Sequence, residues 1–149
     1  MGKYLIMLLF LCAGCSRSPQ DPAAQVRATL DGIEKAAEER DIDGVLAFLA
    51  PTYKDSRGRG PSTVRSMLQL HFLRQGSVHA LVRVQTLQFP TPDQADVTLS
   101  VAVAGTGTAE QGPLEGLSAD AVDVELTLVR DGSDWKIQRA SWTHAGLFE

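Results

Sequence analysis

Apolar residues recur at helical spacing through the first part of the chain. Four of them are three or four positions apart and would form one stripe along a first helix: Val26, Leu30, Ile33 and Ala37. Asp21 followed by Pro22 is typical of a helix start, with the aspartate as cap. The other positions form a polar face that we expect to point to solvent, comprising Arg27, Asp31, Glu34, Lys35 and Glu38.

Two further helices are predicted before residue 77. The second is short, has Asp41 or Asp43 as its cap, and ends at Pro51, since a proline disfavours the helical conformation of the residue before it. The third begins with Ser62 as cap. Between them, residues 53–61 (YKDSRGRGP) are predicted to form a glycine-broken loop.

After residue 77 the pattern changes to that of β-strands. Residues 95–104 and 121–130 alternate between apolar and polar positions, which predicts strands with one apolar and one polar face. Residues 78–89 and 135–143 supply a first and a last strand. Helices followed by strands indicate an α+β domain, with three helices and a four-stranded antiparallel sheet.

The sequence does not decide which side chains of the first and last predicted strands point into the core. In the last strand Trp135 and Ile137 share one face, and Trp142 falls on the other unless a bulge near residues 139–140 shifts the alternation. The first strand has mixed faces, with one side comprising His79, Leu81, Arg83, Gln85 and Leu87. Residues 105–120 are glycine-rich and without periodicity, which is typical of a functional or mobile loop.

The amino terminus is predicted to be a targeting signal. Residues 1–15 (MGKYLIMLLFLCAGC) combine a positive Lys3, a short apolar run and two small residues before Cys15, as in a secretory signal peptide. Small residues before a cysteine also resemble the lipobox of bacterial lipoproteins, although Cys12 stands where that family usually has leucine. The resemblance implies cleavage before Cys15, diacylglycerol on its sulfur, and an acyl chain such as palmitate on the new amino terminus.

This interpretation divides the chain into a signal peptide (1–14), a lipidated tether (15–21) and one domain (22–149). A transmembrane anchor is disfavoured because it needs about 20 apolar residues, and a secreted protein without lipid is the main alternative. Ser16 after the cysteine, by resemblance to enterobacterial lipoproteins, favours the outer over the inner membrane, with the domain facing the periplasm. The lipid anchor would then be the link to the membrane.

Charge and cysteine content narrow the class of protein. The net charge is −4, and Lys3 is the only charged residue in 1–14, so the mature chain has a net charge of −5. An acidic chain argues against a nucleic-acid partner, which would require a basic face. Cys12 would leave with the signal and Cys15 would carry lipid, so the domain must fold without a disulfide.

The order of elements resembles the nuclear transport factor 2-like superfamily, which includes ketosteroid isomerase and polyketide cyclase-like proteins. The pieces that carry the resemblance are the first helix running into EERDIDGVLAFLAPTY, a Tyr-x-Asp loop at Tyr53 and Asp55, a third helix, and the closing segment DGSDWKIQRASW. The resemblance implies a bent sheet that wraps the helices into a cone with a pocket, and often a homodimer formed through the sheet. In such a dimer an exposed Trp142 would fit the interface.

The candidate ligand-binding residues are Tyr53, Asp55, His71, His79 and Arg83. Arg83 and His79 could meet an anionic group, or Arg83 could instead pair with Asp55. The arginines around residues 57–65 could contact a partner or simply form a solvated loop. No motif for a cofactor, a metal site or a hydrolytic nucleophile is found.

Two functions stay open. The chain is expected to be a non-catalytic module that binds a small apolar ligand or another protein. The alternative is an enzyme of the polyketide cyclase or isomerase type, acting on a small hydrophobic substrate with His71 or His79 as base. The ketosteroid isomerase constellation itself, which combines a base Asp with a Tyr and a protonated Asp, is not visible in the sequence.

Overall fold

The computed structural model describes residues 21–74, 78–105 and 121–142, with side chains described in 21–74, 81–102 and 122–142. Several predictions fall outside these residues: the signal peptide, Cys15, most of the tether, and the glycine-rich loop. None of the helices in the described ranges has the length and apolar character needed to span a membrane.

The first two helices begin where their caps predict. Helix α1 (Pro22–Glu38) starts after Asp21, whose Oδ1 accepts a hydrogen bond from the Ala23 amide at 3.3 Å. Helix α2 (Ile42–Ala47) starts after Asp41, whose Oδ1 accepts from the Gly44 amide at 2.9 Å. Asp41, rather than Asp43, is therefore the second cap.

Helix α3 (Pro61–Arg74) confirms the third predicted helix, although it begins one residue before the predicted cap, so that Ser62 lies within its first turn. Its buried residue is Phe72. The guanidinium of Arg40 lies over the Phe72 ring and donates a hydrogen bond to the Phe72 carbonyl. Arg40 therefore links the turn after α1 to α3.

The sheet has five strands rather than the four predicted. Strands β2 (Val78–Thr91), β3 (Gln94–Gly105), β4 (Ala121–Asp131) and β5 (Asp134–Trp142) form the expected antiparallel meander. Strand β1 (Leu49–Asp55) lies parallel to β5, so the sheet is mixed, in the order β1-β5-β4-β3-β2.

The missed strand β1 includes Pro51 and Tyr53, which the sequence analysis assigned to a helix end and a loop. Pro51 is tolerated because β1 is an edge strand and its register with β5 is irregular between Leu49 and Lys54. The predicted loop is thereby shortened to residues 56–60.

Two bulges decide which way the side chains of the outer strands β5 and β2 point. In β5, Ile137 pairs with Leu128 and Arg139 pairs with Thr127, which leaves Gln138 as an extra residue. This bulge turns Trp142 toward the same face as Ile137. In β2, a similar irregularity at Gln85 turns Leu87 toward the core, away from the face of Arg83 predicted by simple alternation.

The central strands have the predicted inner and outer faces. The inner face of β3 and β4 packs on α1 and includes the buried residues Ala95, Val97, Leu99, Leu126 and Leu128. On the outer face Ser100 donates a hydrogen bond to Asp123 at 2.5 Å, and Gln85 donates to Ser100 at 2.5 Å. The polar face is therefore the solvent side, as the alternation predicts.

Candidate functional site

A cavity of about 310 Å³ lies between the helices and the inner face of the sheet. Helix α1 contributes Leu30, Ile33 and Ala37, while Val45 and Leu68 come from α2 and α3. The floor is formed by β2 to β5, through Val82, Leu99, Val101, Val122, Val124, Leu126, Ile137, Ala140 and Trp142. The wall is thus almost wholly hydrocarbon.

Short side chains explain why the cavity exists. Val82, Val101 and Val124 on the sheet are only partly buried, and across from them α1 presents Ala37. Protein interiors otherwise pack at the density of organic crystals, so a void of this size is a specific feature of the fold. A pocket with this apolar lining favours an apolar occupant.

Glu34 is the one charged residue that lines the cavity in the described part of the chain. The spacing of the apolar residues predicts that Glu34 lies on the solvated face of the first helix. Glu34 lies one turn after Leu30 and one turn before Ala37, at the border of the apolar stripe. This position is the feature of the sequence that could have indicated a cavity-lining residue. Burial raises the pKa of Glu34, and the nearby charges of Glu38 and Asp31 raise it further.

Tyr53 and Asp55 are buried on β1 but do not line the cavity. One oxygen of Asp55 accepts the amides of Arg57 and Arg59 at 2.8 and 2.9 Å, and the other accepts Nε of Arg59 at 2.6 Å. Burial raises the pKa of Asp55, but these hydrogen bonds from Arg59 and Arg57 outweigh burial and hold it below the ordinary value. Burial, with Asp55 nearby, raises the pKa of Tyr53 to about 12.

Arg59 connects this carboxylate to the cavity wall. Its guanidinium lies over the Trp142 ring, 5.3 Å from the centroid, and Nη1 lies 3.4 Å from the sulfur of Met67. Trp142 faces inward, so the expectation that it is exposed for a sheet interface is wrong. The arginine cluster is not one solvated loop either, because Arg59 is mostly buried and Arg65 pairs with Asp43 at 2.6 Å.

None of the four predicted ligand-binding residues whose side chains the structure describes lines the cavity. His71 is half-buried on α3 with its ring centroid 6.0 Å from that of Phe72, and it does not line the cavity. Arg83 is exposed on β2, and its predicted pairing with Asp55 is wrong, since Arg59 takes that place. The side chain of His79 lies outside the described residues.

No protein-family model matches the sequence, and no curated protein matches it. Solved structures match the fold. A nuclear transport factor 2-like protein of unknown function from Shewanella oneidensis is 11% identical, with a TM-score of 0.66 over 83% of this chain and 100% of its own. A domain of unknown function with a cystatin-like fold from Nostoc punctiforme is 15% identical, with a TM-score of 0.64 over 81% of this chain and 75% of its own.

A third similar structure is an enzyme, hexachlorocyclohexane dehydrochlorinase from Novosphingobium barchaimii. It is 13% identical, with a TM-score of 0.63 over 85% of this chain and 92% of its own. These likenesses establish the fold: an α+β cone of the nuclear transport factor 2-like, cystatin-like type. The reported neighbours include an enzyme and proteins of unknown function, and one fold can host many functions, so the function must be argued from the cavity.

Proposed function

We propose that this chain is a binding domain whose cavity holds a small apolar molecule. The observation that carries the proposal is the cavity itself, with its hydrocarbon lining and a volume in the range of small-molecule sites. A compact ring system or a short alkyl chain fits that size.

The chemistry of the wall favours binding over catalysis. An enzyme needs a proton donor or acceptor within hydrogen-bond reach of its substrate. Tyr53, Asp55 and His71 stand away from the cavity, and Asp55 is already occupied by Arg59. The alternative, an enzyme acting on a small hydrophobic substrate, is supported by Glu34, a carboxylate that lines the cavity and could exchange a proton with a bound molecule.

A matched pair of variants tests ligand binding. Ala37→Leu adds three carbon atoms at the cavity wall, whereas Ala24→Leu makes the same change at an exposed position of α1. The probe is adamantan-1-ol, titrated into the purified full chain by calorimetry, with all proteins prepared identically. We expect Ala37→Leu to weaken binding about tenfold or more and Ala24→Leu to leave it unchanged. No binding to the wild type, or equal effects of the two variants, would overturn the proposal.

The same proposal places the domain at a membrane, facing the periplasm and tethered through a lipid on Cys15. Its support is the order of charge, apolar run and small residues before that cysteine. A triacylated cysteine would anchor the domain stably, since each buried CH₂ contributes about 0.8 kcal/mol. Mass spectrometry of the mature amino terminus should show acylated Cys15, and Cys15→Ala should block processing; recovery of an unmodified soluble chain would refute the anchor.

A further inference from the structure

A single carboxylate interrupts the hydrocarbon lining of the cavity. Of the lining residues on α1, Leu30, Ile33 and Ala37 are apolar, and Glu34 lies among them. Glu34 is partly buried, and no hydrogen bond or ion pair is found for it within the described residues. A carboxylate at a largely apolar surface is costly unless it meets a partner that compensates for its lost hydration.

Resting on the proposed function, we infer that the ligand of this cavity carries a protonated amine on its apolar frame, with the ammonium group at Glu34. A charged hydrogen bond from an ammonium to a carboxylate is about twice as strong as a neutral one. The apolar frame would fill the space beside the valines of β2, β3 and β4. The inference specifies the chemical class of the ligand.

The charges around Glu34 favour a cation over a neutral or anionic group. Asp31 and Glu38 lie one turn away on the same helix, and both add negative potential at Glu34. The neighbouring Lys35 is turned to Glu39, with Nζ 3.9 Å from its carboxylate.

The other elements packed on α1 add no positive charge at this point. Within the described residues, no lysine, arginine or histidine from any helix or strand lines the cavity, and Arg83 of β2 is exposed on the outer face. Burial and the two acidic neighbours each raise the pKa of Glu34, and an ammonium ion beside the carboxylate would act in the opposite direction.

Three probes with one hydrocarbon frame separate charge from shape: adamantan-1-amine, adamantan-1-ol and adamantane-1-carboxylate. Each is titrated by calorimetry at pH 7 into the purified full chain and two variants. Glu34→Gln keeps the shape of the side chain and removes its charge. Asp31→Asn removes one charge from the same helix at an exposed position that does not line the cavity.

We expect the amine to bind the wild type about tenfold tighter than the alcohol, and the carboxylate to bind most weakly. Glu34→Gln should abolish the preference for the amine while leaving the affinity for the alcohol unchanged. Asp31→Asn should retain most of the preference for the amine. Equal affinities of amine and alcohol, or a preference that survives Glu34→Gln, would overturn this inference and leave the proposed apolar-ligand function standing. Failure of all three probes to bind would overturn both.

Discussion

The carboxylate of Asp55 accepts the Nε–H of Arg59 at 2.6 Å, where the side chain of Asp55 is only 1% exposed and that of Arg59 is 18% exposed. The same carboxylate accepts the backbone amides of Arg57 and Arg59, which closes the turn between β1 and α3. Because Arg59 also lies over Trp142, the pair joins this turn to the wall of the cavity.

Removing the carboxylate should destabilise the fold strongly. Asp55→Ala leaves a mostly buried guanidinium and two amides without their acceptor, and breaking a buried pair in this way costs about 3–5 kcal/mol. The matched control is Asp93→Ala, which breaks the ion pair of a 77% exposed aspartate with Arg130 at 3.4 Å and should cost less than about 1 kcal/mol. Urea unfolding followed by tryptophan fluorescence measures both, and similar losses would contradict the buried role of Asp55.

Asp55 should also make stability depend on pH. Its pKa is lower in the folded state than the ordinary value of 3.8, so between the two values the unfolded chain binds more protons. The stabilisation by the charged Asp55 is therefore fully present at pH values above the pKa of the unfolded chain. It is lost as the pH falls through the pKa of the folded state. We expect the free energy of unfolding to decline on acidification more steeply in the wild type than in Asp55→Asn; parallel declines would count against this assignment.

The hydrogen bond that the Gln25 side chain accepts from the Trp135 indole should stabilise the fold. Oε1 of Gln25 accepts Nε1–H of Trp135 at 3.2 Å and Nη1 of Arg130 at 3.3 Å, and Trp135 is 2% exposed. Gln25→Leu leaves the buried indole N–H without its acceptor, at a cost of about 1–3 kcal/mol. Gln25→Glu keeps an oxygen at that place and should lose much less in thermal unfolding. If the two variants behave alike, the hydrogen bond is not the cause.

Glu34→Gln should stabilise the unliganded protein at neutral pH. The variant removes the like-charge pairs with Glu38 and Asp31, each destabilising by about 0.2–0.5 kcal/mol. The pKa of Glu34 is raised in the folded state above its ordinary value of 4.5. Its charge therefore destabilises the fold at pH values above the folded pKa, and the effect disappears at pH values below 4.5. Urea unfolding at pH 7 and pH 4 should show a larger gain at pH 7. A loss of stability at pH 7 would contradict this account.

Much of the fold could be predicted because its signals are local. The caps at Asp21 and Asp41 act within a few residues, and the alternation in residues 95–104 shows which side chains point inward. Strand β1 could not be predicted in the same way. Its hydrogen bonds come from β5, far along the chain, and Pro51 within it is typical of a breaker.

The candidate site was predicted less well than the fold. Tyr53 and Asp55 are predicted as ligand-binding residues, but in the structure both are buried away from the cavity and Asp55 accepts a hydrogen bond from Arg59. The sequence predicts that Glu34 faces solvent because it is charged and is not one of the four residues of the apolar stripe. Which border residue of a helix turns toward a cavity depends on how the helix packs, and the spacing of residues does not contain that information.

By itself, the sequence determined the α+β class, the three helices, the antiparallel meander and the polar outer face of β3 and β4. These follow from the geometry of the backbone, which sets the period of side chains in helices and strands. Only the tertiary structure decided that Gln138 bulges, that Trp142 therefore faces inward, and that Glu34 borders an apolar cavity. The reason is physical: a bulge reverses every later side chain of a strand, and a cavity forms where side chains from distant segments fail to fill the space between them.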